Sequence, residues 1–217
     1  MGGKEAPTLI KEFEFRGISE GTFLYDLVRS WHKILKEFEE RMYPLDLGYG
    51  YQERTNIGFL AAAASRNGCS VLEEFQCDKR RRNKRRLGRG DLWIKTSKGR
   101  EYQFEAKQVI LKVKTKDIKP KVSKALESAL DDAKQVEEKP KKLVGLVFVI
   151  PYLSSKLKEH QDCIDKLRND LLDVNELGAD FAVVHFCKKE IVKEKYDPGN
   201  CWPCVALVGK YHREYRR

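Results

Sequence analysis

Two short segments, Arg89-Gly90-Asp91-Leu92-Trp93-Ile94 and Tyr102-Gln103-Phe104-Glu105-Ala106-Lys107-Gln108, decide how the rest of the chain is interpreted. A polar loop that contains a glycine joins them, which is typical of a hairpin turn. Side chains alternate between the two faces of a strand, so the second segment is predicted to present Glu105 and Lys107 on one face. Asp91 leads the first strand and can lie opposite them.

An aspartate, a glutamate and a lysine on one sheet surface can bind a divalent cation and orient a water molecule. Mg²⁺ prefers hard oxygen ligands, typically one or two carboxylates together with phosphate oxygens and waters. Asp91 and Glu105 are the candidate carboxylate ligands, and the backbone carbonyl of Ala106 is a third. Lys107 can hold the attacking water or the scissile phosphate. This pattern indicates phosphodiester hydrolysis with Mg²⁺ or Mn²⁺ as the cofactor.

Hydrophobic periodicity on both sides of the hairpin predicts an α/β fold. The predicted helices cover residues 20–42, 52–66, 121–138 and 156–172. Besides the hairpin, the predicted strands cover residues 69–76, 143–150 and 179–187, with a final edge strand at 201–211. Residues before 20 are expected to be an extended lead-in. The order of elements predicts a mixed central sheet, a three-strand meander plus further strands, flanked by helices.

The length of 217 residues is sufficient for one domain with a full core. We expect a single domain over residues 1–217. Within it, we expect an N-terminal lead-in and helix, a core and a C-terminal extension, at residues 1–51, 52–187 and 188–217.

Asp91, followed by Glu105-Ala106-Lys107 at the end of the next strand, resembles the Asp…Glu-x-Lys signature of the PD-(D/E)XK nuclease superfamily. The resemblance covers roughly residues 52–187 and includes the order of elements, so it implies the restriction-endonuclease-like fold. It also implies that Asp91 and Glu105 bind the metal ion and that Lys107 positions and helps to activate the water.

The same resemblance suggests a further acidic residue and one departure from the pattern. Many members place a carboxylate on the helix before the meander, and Glu53 matches that position as a catalytic and metal-binding candidate. Glu73 and Glu74, on the first strand of the meander, are alternatives for joining the site. Gly90 precedes Asp91, where the name-giving pattern has proline. The implied activity is that of a Mg²⁺-dependent deoxyribonuclease, with an endonuclease favoured over an exonuclease, in a restriction-like or DNA-processing setting.

The positive charge of the chain also favours a nucleic acid as its partner. The net charge is +10 and the isoelectric point about 9.2, which favours a polyanion. Seven of the eight residues from Lys79 to Arg86 are basic, and we interpret this stretch as a flexible arm that follows DNA phosphates. The candidate nucleic-acid contacts are Lys79, Arg80, Arg81, Arg82, Lys84, Arg85, Arg86, Arg89 and Gln108. A solvated loop and a nuclear localisation signal are alternatives, and Gln108 can instead pack at the strand end.

Three further expectations concern the localisation of the protein, its partners and a possible zinc site. The longest apolar runs are too short to span a bilayer and no secretory signal is visible, so a cytoplasmic protein without membrane partners is expected. Double-stranded DNA is the expected partner, and a homodimer stays open. His185, Cys187, Cys201 and Cys204 have part of the spacing of a zinc site, but buried free thiols are favoured over zinc.

Other functions stay open on the sequence alone. Asp91 can be a turn acceptor, and Glu105 with Lys107 can be a solvated ion pair. The first functional alternative is a catalytically inactive nucleic-acid-binding module of the same fold. The second is an interaction protein that docks through the basic stretch. These patterns do not indicate the sequence specificity, the choice between DNA and RNA, or the oligomeric state.

Overall fold

The fold is that of a computed structural model, which describes residues 11–42, 47–81, 84–113, 118–136, 142–154, 161–187 and 200–212. In chain order its elements are β1 (Phe13–Arg16), α1 (Phe23–Met42), a 3-10 turn (Gly48–Gly50), α2 (Glu53–Arg66), β2 (Ser70–Arg81), β3 (Lys84–Lys95), β4 (Glu101–Lys112), α3 (Ile118–Lys134), β5 (Lys142–Ser154), α4 (Gln161–Leu172), α5 (Val174–Leu177), β6 (Phe181–Phe186), β7 (Asn200–Cys201) and β8 (Cys204–Tyr211).

The described strands form one mixed sheet. Seven strands follow the order β1-β6-β8-β5-β4-β3-β2, and β7 pairs with β5 beside this path. β2, β3 and β4 form an antiparallel meander, whereas β4 and β5 are parallel, with Glu105 opposite Gly145. The prediction of an α/β fold with a mixed sheet flanked by helices is therefore confirmed at this level.

Helices cover the sheet on both faces. α1 and α2 pack on one face through a cluster that includes Trp31 and Phe104, and α3, α4 and α5 pack on the other through Val122 and Leu167. The alternation along β4 gives Phe104 and Ala106 to the α1/α2 layer and leaves Glu105 and Lys107 facing the α3 layer. No helix in the described part of the chain is long and apolar enough to cross a membrane.

The predicted C-terminal edge strand is wrong in its position. β8 lies inside the sheet, between β5 and β6, and pairs with both. Its first six residues, Cys204–Gly209, are all buried, as expected of a central strand. The edge beyond β6 is instead formed by β1, which comes from the predicted lead-in and pairs with β6, while β2 forms the opposite edge.

Helix boundaries also differ from the predictions in detail. α3 begins at Ile118 and ends at Lys134, while residues 137–138 of the predicted helix lie outside the described residues, as do residues 156–160 before α4. The predicted helix at 20–42 begins at Phe23, and the four-residue α5 was not predicted.

At Gly145, α3 packs directly against the backbone of the sheet. A Cβ built there would lie 2.7 Å from the backbone nitrogen of Leu130 and 2.9 Å from its Cα. Because backbone atoms cannot rotate away, we expect Gly145→Ala to lower the free energy of unfolding by about 1–3 kcal/mol. Gly58→Ala, inside α2, meets only a side-chain oxygen at 3.7 Å and should be neutral or stabilising. Urea denaturation checks both, and equal effects would contradict the packing described.

A buried polar chain joins α1 to β6. Glu39 Oε1 lies 2.8 Å from His185 Nε2, and His185 Nδ1 lies 2.7 Å from His32 Nδ1. Glu39 and His185 are buried. Burial, together with the nearby His185 and Lys36, lowers the pKa of His32 to about 4. This chain therefore favours a neutral His32.

The lowered pKa of His32 predicts a pH dependence of stability. As the pH falls from about 6.5 towards 4, the unfolded chain takes up a proton at this residue that the folded chain does not. The free energy of unfolding should therefore decrease over this window. Urea denaturation at pH 7 and pH 5 should show a larger loss for the wild type than for His32→Gln, which cannot titrate. An equal loss in both proteins would contradict the assignment.

Candidate active site

Asp91 lies where two strands of the meander separate. The β3–β4 pairing runs from Lys95↔Glu101 to Leu92↔Phe104 and is not continued at Asp91. Instead, Asp91 Oδ2 accepts a hydrogen bond of 2.7 Å from the backbone N–H of Ala106. The aspartate side chain thus takes the place of the next backbone acceptor in the ladder. Burial raises the pKa of Asp91, although this hydrogen bond opposes the shift.

Glu105 is a buried carboxylate with a cationic partner. Only 3% of the residue is exposed, and both carboxylate oxygens lie 2.9 Å from Lys79 Nζ. Burial, opposed by Lys79 and reinforced by the negative charge of Asp91, raises the pKa of Glu105 to about 7. Glu105 therefore titrates near neutral pH in the absence of a metal ion.

Lys107 lies on the same side of β4 as Glu105, but its ammonium contacts α3. Its Nζ is 2.7 Å from Asp132 Oδ2, in a pair whose side chains are 35% and 37% exposed. Burial by itself would lower the pKa of Lys107, but the hydrogen bond and charge of Asp132, together with Glu53 and Asp91, outweigh it and raise the pKa. The lysine is thus charged and reachable from solvent.

Glu53 is the first residue of α2 and faces the same group of charges. Burial raises its pKa, and the negative charge of Asp91 raises it further. The neighbouring Gln108 side chain is held by Asn56, which donates to it at 3.0 Å, and it donates to the backbone carbonyl of Tyr51 at 2.6 Å. This arrangement agrees with the alternative that Gln108 packs at the end of the strand, because its side-chain amide connects β4 to the start of α2.

The structure therefore brings four of the predicted residues together. Glu53, Asp91, Glu105 and Lys107 come from three elements, α2, β3 and β4, and Asp91 influences the pKa values of the other three. Asp132 was missed by the sequence analysis because its only signal is an ordinary acidic position on an amphipathic helix. Lys79 was predicted to contact phosphates, and its role as the partner of Glu105 was also missed.

The basic stretch belongs to two paired strands in its described part, so the predicted flexible arm is wrong, whereas contact with DNA phosphates stays a prediction. Residues 79–81 end β2 and residues 84–86 begin β3, in register with each other. Residues 82–83 and the side chains of residues 81 and 84 lie outside the described part of the chain. We call the segment from Phe75 to Gly90 the basic hairpin. The exposed basic side chains described on it are those of Arg80, Arg85, Arg86 and Arg89.

Glu74 directly precedes the basic hairpin and lies opposite Asp91, at a position where the β2–β3 pairing between Glu73↔Leu92 and Phe75↔Gly90 is interrupted. Glu74 has a φ of 50°, a left-handed conformation that is uncommon for residues other than glycine. Such strain costs on the order of 1–3 kcal/mol and is frequent at functional sites. The Glu74 carboxylate raises the pKa values of Asp91 and Glu53, whereas Glu73 lies near Gly58 on α2. Of the two glutamates left open by the sequence, Glu74 is the one beside the group.

The donor set has the chemistry of a Mg²⁺ or Mn²⁺ site, since Asp91, Glu105 and Glu53 offer hard carboxylate oxygens in a partly buried position. Burial is the largest cause of the upward pKa shift of each of these three carboxyl groups. Within the described ranges, no group of three or more histidine, cysteine or acidic residues is arranged to hold a metal ion. The residues fit a site with two carboxylate ligands, waters and substrate oxygens.

Two of the residues considered for zinc, His185 and Cys204, lie on opposite sides of the sheet. His185 packs in the α1/α2 layer against Glu39, whereas Cys204 belongs to the core of the opposite layer. Cys187 lies at the end of β6 with its backbone N–H donated to Pro203. The side chain of Cys201 lies outside the described residues. His185 and Cys204 therefore cannot bind the same metal ion from one side of the sheet.

Comparison with known proteins gives no relative: no protein-family model, curated protein or solved structure matches the chain. The functional interpretation therefore depends on the geometry and chemistry of the group formed by Glu53, Asp91, Glu105 and Lys107.

Proposed function

We propose that this chain is a metal-dependent DNA endonuclease of the PD-(D/E)XK type, with a restriction-endonuclease-like core. The observation that carries the proposal is the Asp91 carboxylate bound to the Ala106 N–H at the point where β3 and β4 separate. That contact brings Asp91 beside Glu105 and Lys107, and Glu53 approaches from α2. A merely solvated strand would not bury Glu105 at such a position.

Each residue then has a defined task. Asp91 and Glu105 would hold Mg²⁺ or Mn²⁺ together with the Ala106 carbonyl, and Glu53 would add a contact. When bound, the ion supplies charge neutralisation at the phosphate and lowers the pKa of a coordinated water. Lys107, charged and partly exposed, donates a hydrogen bond to the attacking water or to the scissile phosphate. Asp132 orients Lys107 until substrate arrives.

The basic hairpin supports DNA as the substrate. Its exposed arginines project from the strands that lead directly to Asp91. Arginine can bind phosphates with two parallel hydrogen bonds, which positions a duplex without reading its sequence. Affinity should therefore fall steeply as salt concentration rises.

A second candidate is a nucleic-acid-binding module without catalysis. It is favoured by the fact that Glu105 and Lys107 are each paired within the protein, with Lys79 and Asp132. Such a protein would bind DNA through the basic hairpin and would not need a metal ion.

One assay separates the two candidates. The purified chain is incubated with supercoiled, linear and single-stranded DNA, and with RNA, in Mg²⁺, in Mn²⁺ and in EDTA, and binding is measured in parallel at two salt concentrations. The endonuclease proposal expects cleavage of the supercoiled circle that needs the metal ion and is lost in EDTA. Salt-sensitive binding with no product under any condition would favour the binding module.

A further inference from the structure

Lys79 differs from the other described basic residues of the hairpin because its side chain points inward. The residue is 8% exposed, and its Nζ lies 2.9 Å from both oxygens of Glu105. The aliphatic part of Lys79 crosses Gly88 on the neighbouring strand. A Cβ at Gly88 would lie 2.9 Å from Lys79 Cδ and 3.0 Å from its Cγ. The missing side chain at Gly88 thus gives the lysine the room to reach Glu105.

The backbone beside Lys79 is fastened to the end of α3. The N–H of Arg80 donates to the carbonyl of Gln135 at 2.6 Å, and Lys79 forms an isolated bridge with Val136. These contacts hold the hairpin over the side of the sheet that carries Glu105. The position of the ammonium is therefore set by the fold, unlike that of a lysine on a free surface.

A metal ion and this ammonium need the same oxygens. Both Glu105 oxygens are engaged by Lys79, so a cation coordinated by Glu105 takes over the place of Nζ. A buried carboxylate without any cation would be costly, which explains why the fold supplies one when no metal ion is bound. The competition also means that metal binding must overcome a charge-assisted hydrogen bond.

We infer that Lys79 is a positioning residue that serves as the internal counter-ion of Glu105 and competes with the divalent metal ion for its carboxylate, which sets the metal affinity of the site. The inference rests on the proposed function only in taking Glu105 as a metal ligand. The displaced ammonium remains on the basic hairpin, where a DNA phosphate is a suitable new partner.

The test measures Mn²⁺ binding without DNA, by calorimetry and by the paramagnetic resonance signal of free Mn²⁺. Lys79→Met removes the charge, and Lys79→Gln removes the charge but keeps a donor. Arg86→Met is the matched control, because Arg86 is the exposed cross-strand partner of Lys79. Glu105→Gln removes the proposed ligand. Thermal unfolding verifies that each protein is folded.

We expect Lys79→Met and Lys79→Gln to bind Mn²⁺ about tenfold more tightly than the wild type, the equivalent of one charge-assisted hydrogen bond. Arg86→Met should stay close to the wild type, and Glu105→Gln should bind far more weakly. If both Lys79 variants bind no more tightly than Arg86→Met while Glu105→Gln still loses binding, the inference about Lys79 is overturned and the metal site stands. If neither the wild type nor the Lys79 variants bind Mn²⁺, the proposed metal site fails as well.

Discussion

Lys107→Ala is expected to reduce Mg²⁺-dependent cleavage by about 10³-fold or more while leaving DNA binding largely unchanged. The ammonium is the proposed donor to the attacking water or scissile phosphate, and loss of such a group typically costs 10²–10⁴-fold in rate. The fold should tolerate the change, because Lys107 and its partner Asp132 are 35% and 37% exposed. A partly exposed ion pair contributes little to stability. Single-turnover cleavage of a duplex at saturating protein measures the effect on the chemical step.

The matched control for this variant is Lys95→Ala. Lys95 forms a similar partly exposed pair with Glu101 at 3.0 Å, at the other end of the β3–β4 ladder. Its removal changes the net charge by the same amount but should leave the cleavage rate near that of the wild type. Cleavage by Lys107→Ala at the rate of Lys95→Ala would contradict the proposed role.

His185→Ala should produce the largest loss of stability. The variant leaves the Glu39 carboxylate buried on α1 without the imidazole that lies 2.8 Å from it, and it also removes the partner of His32. Removing one member of a buried pair costs about 3–5 kcal/mol. Because small domains have only about 5–15 kcal/mol in total, the urea midpoint should fall sharply.

A double variant tests whether the loss of stability comes from the Glu39 carboxylate that is left buried without its partner. Glu39→Met combined with His185→Leu replaces the pair by apolar side chains and should recover most of the loss. Arg66→Ala breaks the exposed pair with Glu37 and should leave the urea midpoint close to that of the wild type, because exposed ion pairs contribute little to stability. If His185→Ala lowers the urea midpoint no more than Arg66→Ala does, the buried polar chain does not hold α1 to β6 as described.

Local patterns in the sequence were sufficient to predict the meander and its side-chain directions. The alternation from Tyr102 to Lys107 correctly separated the core side of β4 from the side that carries Glu105 and Lys107. Glu53 was placed at the start of a helix, where the structure has it. These features depend on the two-residue period of a strand and on helix-terminus signals, which lie within a few residues of each other.

Contacts between distant segments could not be predicted in this way. Lys79 and Glu105 are separated by 26 positions, and Glu39 and His185 by 146. No local period reports such pairs, because they depend on how the hairpin folds over α3 and how β6 docks on α1. The position of β8 between β5 and β6 was missed for the same reason, because it depends on contacts between segments that are distant in the sequence. The segment was predicted as an edge strand, because its local sequence does not report which strands lie beside it.

The central claim is that the Asp91 carboxylate takes part in metal-dependent cleavage, and Asp91→Asn tests it most directly. An asparagine keeps an oxygen that can accept the Ala106 N–H, which lies 2.7 Å from Oδ2 in the wild type, but it removes the negative charge that a metal ion needs. We predict that the wild type cleaves duplex DNA in Mg²⁺ and that Asp91→Asn, with an unchanged melting temperature, cleaves at least about 10³-fold more slowly. Equal cleavage rates for the two proteins in Mg²⁺ would contradict the account.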